Sequence, residues 1–194
     1  MVISKGEVWG EPGGSLPSAT LSDDAALAAS VCDQPGSVVA VSGGDLHRTL
    51  GLGEQMRSDP LWFPMDLGFA SLDGDAELPF VAHVVARSRW RVGAGAVVMN
   101  AAWIGDRYLG PRAHPNDGLL DITFGSLPFR QLIAASRRSK TGTHLPHPAL
   151  TVRRSAMWAH TFERPRQICL DGVRRGTATH LEVRLEPDWF TLVG

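Results

Sequence analysis

The residues with the clearest potential for chemistry lie in a short turn near the middle of the chain, from Pro111 to Asp121. Its two prolines and its Asn-Asp-Gly run are typical of a tight turn with a fixed backbone. Asp117 lies on this turn, and Asp121 follows at the start of a strand pattern. Because hard cations prefer carboxylate and carbonyl oxygens, the turn predicts a cation site. The alternative is a plain β-turn in which Asp117 binds its own backbone.

A second pattern that could bind a ligand is the pair Gly43-Gly44, between an apolar run at 37–41 and a helical start. Backbone N–H groups in such a turn can bind phosphate. A tight connection between a strand and a helix explains the same two glycines without any ligand, so both interpretations stay open.

A third stretch, from Thr141 to Pro148, contains His144 and His147 together with two prolines. Histidine is a common ligand of transition metals, but no Asp, Glu or Cys accompanies the pair in this stretch. Contact with a phosphate or a substrate through His144, Thr141 or Thr143 is a second interpretation. A rigid connection with no ligand is the third.

Length and composition are those of an ordinary globular chain, with 194 residues of which 43% are hydrophobic and 20% charged. The net charge of −1 gives no electrostatic basis for binding nucleic acid or an anionic membrane. The charge is uneven, however, and cations that could contact a phosphate-bearing ligand gather in the second half. They are Arg130, Arg137, Arg138, Lys140, Arg153 and Arg154. Two distant cysteines, no signal-peptide pattern and no apolar stretch of membrane-spanning length predict a cytoplasmic protein.

Hydrophobic patterning predicts an α+β fold dominated by an antiparallel β-sandwich, with a short strand–helix–strand segment at the N-terminus. One helix is expected from Ser22, as its cap, to about Cys32, and another from Leu127 to Lys140. His83 lies in an apolar run at 79–86 that fits a helix or a strand, and is interpreted as a satisfied core histidine. Short strands are expected at 37–41, 63–71, 94–100, 150–153, 156–162, 167–170, 180–185 and 189–193.

These patterns together resemble the diacylglycerol kinase and bacterial lipid kinase family, which is NAD kinase-like. The stretch from Gly43 to Gly51 is similar to the family segment that lies beside the nucleotide, and the turn at Asp117 is similar to its structural magnesium turn. Asp171-Gly172 resembles the first two residues of its Asp-Gly-Glu motif. The histidine-containing stretch looks like that of a short actinobacterial branch.

The resemblance implies a lipid-kinase-like β-sandwich domain at 61–194 and a truncated remnant of the nucleotide lobe at 1–60. It implies Mg²⁺ as a structural cofactor, and ATP where the activity is retained. The implied metal ligands are His114, Asp117 and Leu119. The candidate nucleotide contacts are Gly43, Gly44, Asp45 and Arg48, and the candidate substrate contacts are Asn100, Arg112, Thr141 and Thr143. The candidate catalytic residues are Asp45 and Asp171, with His144 and His147 if the chemistry is different.

The chain departs from the family where the chemistry takes place. Val173 stands where the family has the glutamate proposed as general base, and valine cannot take a proton. The resemblance also implies that the first half of the nucleotide lobe is missing.

We therefore predict a lipid-kinase-like protein with lost or altered phosphotransfer, which binds a small-molecule or lipid ligand and is stabilised by Mg²⁺. One alternative is an active ATP- and Mg²⁺-dependent lipid kinase completed by a partner or by a homodimer. The other is an enzyme of different chemistry that uses His144, His147 and Asp171.

Overall fold

A computed structural model describes residues 9–13, 16–52, 60–88 and 93–194. The helices are α1 (Asp24–Val31), α2 (Gly44–Leu50) and α3 (Phe129–Arg138), and a 3₁₀ turn follows at Ser139–Thr141. The strands of the first half are β1 (Glu11–Pro12), β2 (Thr20–Leu21), β3 (Val38–Val41), β4 (Leu61–Leu72), β5 (Leu78–Phe80), β6 (His83–Arg87) and β7 (Gly93–Met99). Those of the second half are β8 (Trp103–Ile104), β9 (Arg107–Tyr108), β10 (Leu120–Leu127), β11 (Leu150–Ser155), β12 (Met157–Leu170) and β13 (Val173–Val193). No helix in the described ranges is long and apolar enough to cross a membrane.

Most of the described strands form one mixed but mainly antiparallel sheet, in the order β1-β4-β13-β12-β6-β7-β10-β11. The short strands β2 and β3 extend it in parallel, because β3 pairs with the end of β13 and β2 pairs with β3. Strand β5 pairs with β4, and β8 and β9 form a separate hairpin. The predicted α+β fold with an antiparallel sandwich and an N-terminal strand–helix–strand segment is confirmed.

Two long strands replace four of the predicted short ones, so those predicted boundaries were wrong. The runs at 156–162 and 167–170 belong to β12, and the runs at 180–185 and 189–193 belong to β13. Register shifts between Thr161 and Arg166 and between Glu186 and Phe190 account for the interrupted pattern. A bulge changes which face a side chain occupies without ending the strand.

Buried side chains form two clusters. The larger lies inside the sandwich and includes Phe80, Ile122 and Leu181. The second lies where the N-terminal helices meet the sheet, and joins Leu27 and Leu46 to residues such as Met65 and Phe190. The segments 1–60 and 61–194 thus share this second cluster, and their division into a lobe remnant and a sandwich domain stays a prediction.

Three local details differ from expectation. The cap of α1 is Asp23, whose Oδ1 accepts a hydrogen bond from Ala26 N at 2.9 Å, while the Ser22 hydroxyl donates to Asp23. The apolar run at 79–86 is two strands, because the backbone between them is bound by a side chain rather than by the sheet. The helix predicted at 127–140 begins only after Pro128, and none of its residues is buried.

Candidate functional site

Asp171 closes the hairpin between β12 and β13 and reaches the break between β5 and β6. Its Oδ2 accepts a hydrogen bond from Val81 N at 2.8 Å, and its Oδ1 accepts from Ala82 N and His83 N, both at 2.9 Å. Asp171 and Gly172 have φ values of 47° and 78°, as a type I′ hairpin turn requires. Burial raises the pKa of Asp171 to about 6, although the three donors oppose the shift. This carboxylate, a candidate for catalysis, therefore fastens a hairpin to the core.

The carboxylate of Asp24 lies against the first turn of α2. Its Oδ2 accepts a hydrogen bond from Asp45 N at 2.6 Å, and its Oδ1 accepts from Leu46 N at 3.2 Å. Gly44 has a φ of 101°, and a Cβ at that position would lie 2.4 Å from Asp24 Oδ1. Burial, with the neighbouring Asp171 charge as a further cause, raises the pKa of Asp24 to about 7. Of the predicted nucleotide contacts, Asp45 thus donates its backbone N–H, beside that of Leu46, to a carboxylate of the same chain.

This role of Asp24 was not predicted from the sequence. The contact joins residues 21 positions apart, so no local pattern announces it.

Asp45 and Arg48, two of the candidate nucleotide contacts, both contact the β8–β9 turn. Asp45 Oδ1 accepts a hydrogen bond from Gly105 N at 2.7 Å, and Arg48 Nη1 donates to Gly105 O at 2.6 Å. The Arg48 guanidinium also lies 3.9 Å from the centre of the Trp103 ring, a cation–π contact. Both side chains therefore have structural partners, and their role at a nucleotide stays a prediction.

His83 is buried, as predicted, but its hydrogen bonding is not complete. It is 2% exposed, and its Nδ1 has no hydrogen-bond partner among the described residues. Asp45 Oδ2 lies 3.5 Å from that nitrogen. The prediction of a satisfied histidine was therefore wrong, because packing against Asp45 brings the two groups close without a hydrogen bond. Burial lowers the pKa of His83 to about 4, so the ring is neutral at neutral pH.

The predicted magnesium turn is held by a guanidinium. Asp117 Oδ1 accepts a hydrogen bond from Leu119 N at 3.0 Å, and its Oδ2 pairs with Arg154. The Nε of Arg154 lies 2.9 Å from Asp121 Oδ1. A positive charge thus stands where a cation bound to the Asp117 carboxylate would be, so the residues as placed do not fit Mg²⁺ at this oxygen. Across the described ranges, no group of three or more His, Cys, Asp or Glu side chains could hold a metal ion.

Asp66, at the middle of β4, connects this turn to the sheet. Its Oδ2 accepts a hydrogen bond from Gly118 N at 2.9 Å, and its Oδ1 accepts from Asp188 N at 3.0 Å and from Asn116 Nδ2 at 3.4 Å. Burial raises the pKa of Asp66 to about 6. His114, a candidate metal ligand, packs against Trp9 with 4.5 Å between ring centres, and its Nδ1 accepts from Asn116 N.

The candidate substrate contacts do not gather in one place. Asn100 is fully buried and donates to Val81 O at 2.9 Å, while Arg112 lies 3.7 Å from Asp121. Thr141 and Thr143 contact each other at 3.0 Å, and each donates to the Arg138 carbonyl at the end of α3. Their binding of a substrate stays a prediction.

His144 and His147 have different surroundings. His144 is 6% exposed and lines a cavity, and its Nδ1 has no hydrogen-bond partner in the described part of the chain. His147 Nδ1 instead accepts a hydrogen bond from Ala149 N at 3.2 Å. Burial lowers the pKa of His144, so this ring is a neutral group in the cavity wall.

The cavity has a volume of about 710 Å³ and lies between α3 and the sheet. Strands β6, β7 and β10 supply one wall, and Leu132 and Ile133 of α3 supply the other. Its polar groups include Arg107, Ser136 and His144, and Arg107 Nη1 donates to Ser136 O at 2.6 Å. The apolar side of α3 thus faces this space instead of the core. The sequence predicted a helix here but not the cavity, because the cavity depends on the distance between the helix and the sheet.

The raised pKa of Asp24 gives a prediction for stability against pH. Between about pH 4 and pH 7 the folded chain retains a proton that the unfolded chain releases, so the free energy of unfolding falls as the pH rises. The side chain introduced by Asp24→Asn cannot titrate. The stability of Asp24→Asn minus that of the native chain should therefore increase over this range, by on the order of 2–4 kcal/mol, in urea unfolding at several pH values.

The neighbouring Asp23 is the matched control. The hydrogen bond from Ala26 N holds the pKa of Asp23 below its usual value, so Asp23→Asn should change the slope in the opposite direction. If the stability difference between Asp24→Asn and the native chain does not vary with pH, the raised pKa of Asp24 is contradicted.

Arg154 gives a prediction for magnesium. If its guanidinium occupies the place of a cation, Mg²⁺ should raise the melting temperature of Arg154→Gln more than that of the native chain, since ligand binding stabilises by mass action. Thermal unfolding with and without Mg²⁺ measures this, with Arg154→Gln/Asp117→Asn as the control that should lose the gain. The prediction is contradicted if Mg²⁺ raises the melting temperatures of the native chain and of Arg154→Gln equally and Asp117→Asn abolishes the increase. That result would show that a cation binds beside the arginine.

Comparison with protein-family models and with curated proteins finds no match. Among solved structures, three from Bacillus anthracis str. Sterne are similar, two described as a putative diacylglycerol kinase and one as a diacylglycerol kinase. The first has a TM-score of 0.61 at 12% sequence identity, and the match spans 89% of this chain and 76% of the other. The second and third have TM-scores of 0.59 and 0.53 at 14% identity, each covers 80% of this chain, and the match spans 68% and 66% of theirs. At these identities the likeness concerns the fold, and this chain has a diacylglycerol kinase-like fold.

Proposed function

We propose that this protein binds a lipid through a diacylglycerol kinase-like sandwich and that its phosphotransfer activity is lost or altered. The observation that carries the proposal is the cavity of about 710 Å³ beneath α3. Cavities of this size are typical of small-molecule sites, which combine apolar walls with a few polar groups.

The walls of the cavity suit an acyl chain. Val85, Val97 and Leu127 on the sheet side face Leu132 and Ile133 on the helix side. Each methylene removed from water contributes about 0.8 kcal/mol, so about ten buried methylenes would offset the several kcal/mol that association costs. Arg107, Ser136 and His144 supply the polar part of the lining, where a hydroxyl or ester group of the lipid would lie.

The contacts of Asp24 support a loss of nucleotide binding. Phosphate sites at the start of helices depend on free backbone N–H groups, and here those of Asp45 and Leu46 donate to a carboxylate. When ionised, that carboxylate would also repel a phosphate. Val173, which stands where the resemblance places a general base, is 42% exposed and carries no proton acceptor.

An enzyme that uses His144, His147 and Asp171 together has less support. His144 lines the cavity, whereas Asp171 is bound to the backbone of Val81 to His83 at the other end of β6. The described residues provide no contact between the two sites.

Lipid binding gives a direct test. Dioctanoylglycerol should displace a fluorescent fatty acid from the native chain, and Leu132→Trp should weaken its binding about tenfold, because the larger ring excludes one or two methylenes. Leu16→Trp, at a residue that is 84% exposed, is the control and should bind normally. Absence of binding to the native chain, or unchanged binding by Leu132→Trp, would contradict the proposal.

A further inference from the structure

One side of α3 presents exposed apolar groups and cations together. Phe129, Arg130, Ile133 and Arg137, here called the α3 patch, recur at the spacing that places helical residues on one side. Phe129 is 61% exposed and Ile133 is 40% exposed, although both are large apolar side chains. Apolar residues flanked by arginines on a surface helix are typical of helices that lie in a membrane interface.

The charge around this patch is of one sign. Residues 122–162 contain no Asp or Glu and six Lys or Arg, in a chain whose net charge is −1. Lys140 pairs with Asp106, and Arg154 pairs with Asp117 and Asp121. No described carboxylate pairs with Arg130 or Arg137. Because salt screens charges beyond about 8–10 Å, this local surplus governs contact with an anionic surface more than the net charge does.

The patch is continuous with the cavity, since Ile133 and Arg137 belong to both. We propose that the α3 patch docks on an anionic membrane surface, with Phe129 and Ile133 entering between the head groups and Arg130 and Arg137 binding lipid phosphates. This goes beyond the proposed lipid site, because docking also requires Phe129 and Arg130, which do not line the cavity. It would bring the cavity to the surface from which a lipid leaves.

Vesicle binding tests the proposal. The native chain is sedimented with vesicles of phosphatidylcholine alone and of phosphatidylcholine with phosphatidylglycerol in equal parts, at low and high salt. Neither vesicle contains diacylglycerol, so the result does not depend on the proposed lipid site. Binding should be restricted to the anionic vesicles and should weaken with salt.

Two variants and two matched controls separate the contributions. Arg130→Gln/Arg137→Gln should weaken binding about 25-fold, since each cation near an anionic surface contributes about fivefold. Phe129→Gln/Ile133→Gln should also release the protein from the vesicles. Arg174→Gln/Arg175→Gln, exposed in the hairpin at the His83 end of β6, and Leu16→Gln should bind as the native chain does.

Two results would overturn the proposal. If the native chain does not bind anionic vesicles, or if the two arginines can be replaced without loss, the α3 patch is not a membrane surface. If vesicles are not bound and ultracentrifugation shows a dimer that Phe129→Gln/Ile133→Gln dissociates, the patch is an interface between copies of this chain. Circular dichroism of each variant confirms that the fold is retained.

Discussion

The contact between the β12–β13 hairpin and the start of β6 depends on one carboxylate, that of Asp171. It accepts hydrogen bonds from the N–H groups of Val81, Ala82 and His83. These three groups lie where β5 ends and β6 begins, so the sheet cannot satisfy them all. Buried donors without acceptors are costly, at about 1–3 kcal/mol each. By satisfying them, Asp171 fixes the start of β6, which places the His83 ring 3.5 Å from Asp45 and thereby beside α2.

Several groups for which the resemblance suggests ligands have partners within the chain. The carboxylate of Asp24 accepts a hydrogen bond from Asp45 N, directly after the glycine turn. The guanidinium of Arg154 forms an ion pair with the Asp117 carboxylate. Arg48 binds Gly105 and stacks on Trp103. The cavity beneath α3 is different, because its largely apolar walls enclose about 710 Å³ that no side chain of the described residues fills. Ligand binding is therefore expected in this cavity rather than at the glycine turn.

The sequence predicted features that depend on neighbouring residues. Alternating apolar runs indicated an antiparallel sandwich, and Asp171-Gly172 indicated a hairpin turn that has the expected positive φ values. Contacts between distant residues could not be predicted in the same way. Asp24 meets Asp45 across 21 residues, and Arg154 meets Asp117 across 37. The bulges in β12 and β13 shifted the alternation, which made two strands look like four.

The most direct test of the account is a calorimetric titration of the native chain with ATP and Mg²⁺. The N–H groups of Asp45 and Leu46, which a phosphate would need, donate hydrogen bonds to Asp24. We therefore expect no saturable binding of ATP. Saturable binding that Asp45→Asn and Arg48→Gln weaken would contradict the account and would restore the active-kinase alternative.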